Sequence, residues 1–138
     1  MISYTNQIKV VLDSVEKLIE DEFNIPVLDE HAGNESIVIN PVDDTLIEYL
    51  STGQSRAYSL SIEYTMNKAG GFEYVKDHLT NRAERIKRLL FNNANYSPSG
   101  TYKFHDGKVT SIVYEQDEDD PEIWRSIILF ECIVLEVV

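Results

Sequence analysis

The sequence is short of cysteine, of histidine and of positive charge. Cys132 is the single cysteine among 138 residues, so no disulfide can form within the chain, and its neighbours Phe130, Ile133 and Val134 predict a buried thiol. Only three histidines occur, His31, His78 and His105, and none stands at a spacing that pairs a nucleophile with a base. Six glycines make no phosphate-binding loop: Gly70-Gly71 lacks both the Gly-Lys-Ser/Thr ending and the spaced glycines of a dinucleotide site, and reads as a turn. No apolar run approaches the roughly 18 residues of a bilayer span, and Met1 to Asn6 is not a basic segment leading into an apolar one. Neither membrane insertion nor secretion is expected, and a cytoplasmic site of synthesis and assembly fits the lone thiol.

Twelve basic residues face twenty-four acids, for a formal charge of −12. A phosphate backbone is gripped by cations that displace its counterions, so nucleic-acid binding is disfavoured. The same charge keeps protomers apart, and self-association then requires local complementarity.

What is present is a globular pattern, with 43% apolar residues in periodic blocks over a length that suits one domain, 1–138. Ile8, Val11, Leu12, Val15, Leu18, Ile19 and Phe23 mark a helix from Thr5 to Phe23, capped by Ser3 or Thr5 and stopped by Pro26. Val27 to Glu30 and Ile37 to Ile39 predict a hairpin or strand pair, and Thr45 to Leu50 another strand. Thr52-Gly53-Gln54-Ser55 reads as a turn into the strand Arg56 to Met66, with Tyr58, Leu60, Ile62, Tyr64 and Met66 on one face.

A second helix is expected from Phe72 to Phe91 through Val75, Leu79, Ala83, Ile86 and Leu90. Its C-terminal half collects Arg82, Arg85, Lys87 and Arg88, which complement the helix dipole, allow a Glu84–Arg88 pair, or form a partner-facing patch. His105-Asp106-Gly107-Lys108 predicts a two-residue turn between strands Thr101–Phe104 and Val109–Tyr114. Ile123 to Val138 is apolar on both faces, as in a central strand covered on both sides. The fold class is therefore α+β: an antiparallel or mixed sheet packed by two amphipathic helices.

No catalytic residue, cofactor site or metal site is assigned. The loop Glu115 to Glu122 contains six acids, but Pro121 and the missing glycine spoil a calcium-loop pattern. Asp117, Glu118, Asp119, Asp120 and Glu122 instead predict a solvated loop, or a surface lining a lumen if copies assemble around one.

The N-terminal helix ending at Asn24-Ile25-Pro26, the strand Arg56 to Met66, the helix Phe72 to Phe91 and the closing segment from Tyr102 together resemble bacteriophage tail terminator and tail-completion (neck) proteins. The resemblance spans nearly the whole chain and is architectural. It implies a virion protein of the tail or neck, assembled in the host cytoplasm as a hexameric ring. Such a ring caps the tail tube, ends tail polymerisation and meets the head-side connector. Its partners would be further copies of itself, the tail tube protein and the connector proteins, with DNA a non-sticking passenger. Ring contacts join unlike surfaces, and Arg82, Arg85, Lys87 and Arg88 against Asp43, Asp44 or Glu48 is one such pairing. A head-completion subunit, or a free-standing acidic inhibitor of a basic target, would share the same composition.

Overall fold

The computed structural model describes residues 1–71 and 74–137. Phe72, expected to open the second helix, and Val138, expected to end the last strand, lie outside the described residues.

Helix α1 runs Gln7–Glu22 and buries Val11, Val15 and Ile19 on one stripe. Its cap is Asn6, not Ser3 or Thr5: the Asn6 side chain accepts the backbone N–H of Lys9 at 3.3 Å. Strand β1 is Val27–Leu28, β2 is Glu35–Leu50 and β3 is Gly53–Asn67. A 3-10 turn at Lys68–Gly70 ends on Gly71 in the left-handed region, as the double glycine predicts. Helix α2 follows at Val75–Asn92, burying Leu79, Ala83, Ile86 and Leu90, and then β4 (His105–Gln116) and β5 (Ile123–Val137).

The five strands form one mixed sheet in the order β1-β2-β3-β5-β4. β1 lies parallel to β2, so the expected first hairpin is replaced by a parallel pair, Val27 opposite Ile37 and Leu28 opposite Val38. Thr45 to Leu50 is no separate strand; it continues β2 past two register irregularities, near Val42 and Ile47. The turn to β3 falls at Ser51-Thr52, with Gly53 already paired.

The expected turn at Asp106-Gly107 is also replaced. Both residues sit inside β4 at a bulge, where Asp106 takes φ 52° and the Gly107 N–H bonds the Ala94 carbonyl. The short reversal lies upstream instead, closed by the bridge between Tyr96 and Phe104.

Both helices pack on the same sheet face. Tyr58, Leu60, Ile62, Tyr64 and Met66 of β3 and Ile128, Phe130, Cys132 and Val134 of β5 meet them in one core. β5 is therefore central in the sheet but fully buried on one side only: Ile127, Leu129 and Ile133, on the other side, remain partly exposed. Its two-sided apolar character is explained by an open sheet face and not by a second helical layer.

Candidate assembly surfaces

The cations Arg82, Arg85, Lys87 and Arg88 of α2 divide into two pairs. Arg82 turns inward, its Nε 3.9 Å from the Glu35 carboxylate. Glu35 also accepts the Tyr64 hydroxyl at 2.6 Å, and His78 Nε2 lies 3.0 Å from that hydroxyl. Burial first, and then the Glu35 carboxylate, push the Tyr64 hydroxyl well above its ordinary pKa. Arg85 clasps the end of α1: its Nε and Nη2 donate to Glu22 Oε1 at 3.0 and 2.9 Å, and its guanidinium lies over the Phe23 ring at 4.6 Å.

Lys87 and Arg88 point outward. Lys87 pairs with Glu84 at 2.7 Å, a pairing made at i,i+3 in place of the expected Glu84–Arg88 contact. Arg88 sits 5.7 Å over the exposed Phe91 ring. These side chains join Lys108 and Val109 of β4 around a groove of about 380 Å³ with a mixed apolar and cationic lining.

Asp43, Asp44 and Glu48 all stand on the distal half of β2. From Asn40 to Leu50 every residue of this strand is exposed, including Val42, Leu46, Ile47, Tyr49 and Leu50. Asp44 accepts Arg56 Nε at 2.6 Å from the neighbouring strand. Asp43 and Glu48 have no cation within ion-pair distance among the described residues. The distal half of β2 is an arm held to β3 on one edge, while β1 reaches only as far as Val38 on the other.

The acidic loop is more ordered than its composition suggests. Asp117 accepts the Asp120 backbone N–H at 2.9 Å and Arg125 Nη2 at 3.1 Å, and that backbone bond followed by the arginine lowers its pKa. Asp120 in turn accepts the Glu122 N–H. Arg125 also reaches Glu63 and Glu115, so one guanidinium joins three acids, two of them from this segment. Glu118, Asp119 and Glu122 are left exposed. Among the described residues no group of three or more His, Cys, Asp or Glu side chains is arranged to hold a metal ion, and no helix is long and apolar enough to cross a membrane.

The structure thus keeps Arg82 and Arg85 within the chain, leaves Lys87 and Arg88 on one flank, and puts the acids of β2 on an arm at the opposite side of the sheet. The arm's exposure was not visible in the sequence. Val42-Asp43-Asp44-Thr45-Leu46-Ile47 reads as an ordinary strand, and only the topology reveals that no element among the described residues covers its outer edge.

No family model matches the chain, and no curated protein matches it in sequence. Among solved structures, it is similar to a chain of the virion of a native gene transfer agent particle. The TM-score is 0.71 over 96% of this chain and 99% of that chain. Identity is 10%, so the likeness is one of fold.

Proposed function

We propose that this chain is a structural assembly protein of a tailed bacteriophage or similar particle. It forms a hexameric ring that caps the tail tube, ends tail polymerisation and joins the tail to the head-side connector. The observation carrying the reading is the end-to-end fold similarity to a gene transfer agent virion chain, with almost nothing added to or missing from either chain. The work is noncovalent and needs no cofactor: an α+β unit offers unlike surfaces on its two flanks, and repetition of one heterologous contact closes a ring.

Of the charged residues expected at that contact, Arg88, Asp43 and Glu48 carry no ion pair within the subunit among the described residues, while Lys87 holds an exposed one with Glu84. Arg82, Arg85 and Asp44 act within the subunit. Glu118, Asp119 and Glu122 line the lumen or its mouth, where like charge keeps passing DNA from adhering. Purified protein added to growing tail tubes, followed by electron microscopy, tests the role. Length-limited tubes bearing a terminal ring are expected. Tubes of unchanged length with rings bound only to head-side connectors would favour a head-completion subunit instead.

A further inference from the structure

Two strand edges of this sheet are open, and they are unlike each other. The β2 arm presents its outer edge beyond Val38, where β1 stops. At the far side of the sheet β4 is the last strand, and only its first residues are covered, by Ala94 and Asn95 bonding the N–H groups of Gly107 and Asp106. An open edge is a row of unsatisfied N–H and C=O groups, and soluble proteins blunt such edges with lysine, proline or short length. The arm is blunted only by Pro41, by its acids and by two register irregularities: it is long, lacks lysine and exposes five large apolar side chains.

The side chains flanking the two edges are opposite in charge on the open face and apolar on the other. By register, Asp43 and Glu48 share the open sheet face with Ser59 and Ser55, while Leu46 and Tyr49 lie on the helix side with Arg56 and Gln54. On β4, Lys108 is opposite Glu131 on the open face, and Val109 is opposite Phe130 on the helix side, next to Phe91. In a strand added to β4, one of the arm's acids meets Lys108 on the open face. Leu46 and Tyr49 reach the groove of Phe91 and Val109, rimmed by Lys87 and Arg88, on the other.

The geometry points to β-strand addition between copies: the β2 arm of one subunit extends the sheet of the next by pairing with the open edge of β4. The alternation of strand directions across β2, β3, β5 and β4 makes the added pair antiparallel when neighbouring subunits keep a common orientation. This mode rests on the ring reading above and specifies its contact; main-chain bonds supply adhesion and the flanking charges supply register.

Two charge-swapped chains test it, one carrying Asp43→Lys and Glu48→Lys, the other Lys108→Glu. Each alone is expected to run as a folded monomer by light scattering and circular dichroism, and an equimolar mixture to recover the mass of the wild-type assembly. In the assembled wild type, amide hydrogen exchange over residues 40–50 and 109–116 should slow at least about tenfold relative to dilute monomer. Normal assembly by either swapped chain alone, or assembly without added protection at both edges, overturns strand addition while leaving the ring intact. A wild-type chain that stays monomeric at high concentration overturns the ring, and strand addition between copies with it.

Discussion

Burial pushes the Cys132 thiol up to about 12, since a thiolate inside the core would have no water or cation to stabilise it. Tyr64, and Tyr58 through burial and the Glu136 carboxylate that accepts its hydroxyl, are raised as well. The unfolded chain releases these protons first, near about 8.5 for cysteine and about 10 for tyrosine, and above those values it holds fewer protons than the native state. The stabilisation is therefore complete below about pH 8.5 and is lost as pH rises toward the raised native values. Thermal melts followed by circular dichroism should show Tm falling between about pH 9 and pH 11. Cys132→Ala is expected to lower Tm at neutral pH by opening a small cavity, yet to move the onset of the alkaline fall toward the tyrosine range. Tyr64→Phe should make the upper part of the fall shallower. A Tm independent of pH up to about 10.5 would show that these groups ionise as freely in the native state as in the unfolded one.

Between residue and fold, the elements differ in how openly the sequence announces them. Helix α1, the body of α2 and the strand from Arg56 to Met66 were legible because each buries one face, and a single period of 3.6 or 2 records which one. The Asp106-Gly107 turn misled because a local preference for positive φ serves a bulge as well as a hairpin. What decides is a distant group, the Ala94 carbonyl that takes the Gly107 N–H. The both-sided apolarity of β5 misled for a related reason: composition records that a face avoids water, not whether a helix or another copy covers it. The candidate charges were all present in the sequence. That Arg82 and Arg85 belong to the subunit's own clasps, and Lys87 and Arg88 to its outer flank, follows only from packing against Glu35 and Glu22.

The bulge supplies a direct test at this scale. A Cβ added at Gly107 would lie 2.7 Å from Phe130 Cζ and 3.2 Å from the Ala94 carbonyl oxygen. Phe130 is fully buried and packed edge-on against Phe104, so its ring has nowhere to move. Gly107→Ala should destabilise the fold by about 1–3 kcal/mol, read as a lower urea midpoint with an unchanged slope. An unchanged midpoint would mean that the bulge opens at no cost and does not anchor β4.

At the scale of the whole molecule, repulsion and adhesion act over different distances, and salt separates them. Each copy carries a formal charge of −12, and the cations beside the β4 edge are few, Lys87, Arg88 and Lys108. Subunit centres in a ring stand tens of ångströms apart, beyond the Debye length of about 8 Å at 0.15 M salt but within the roughly 30 Å that applies at 0.01 M. Long-range repulsion is therefore strong in dilute buffer and largely screened at physiological ionic strength. Main-chain bonds and buried apolar side chains at a strand edge keep their strength over the same range, and contacts between opposite charges at 3–4 Å lose only part of theirs. Raising salt from about 0.01 to 0.15 M should accordingly shift the population from monomer toward ring, measured by light scattering at fixed protein concentration. Weaker assembly across that interval would assign the adhesion mainly to opposite charges. In that case the swap at Lys108 should outweigh any change made to Leu46 or Tyr49.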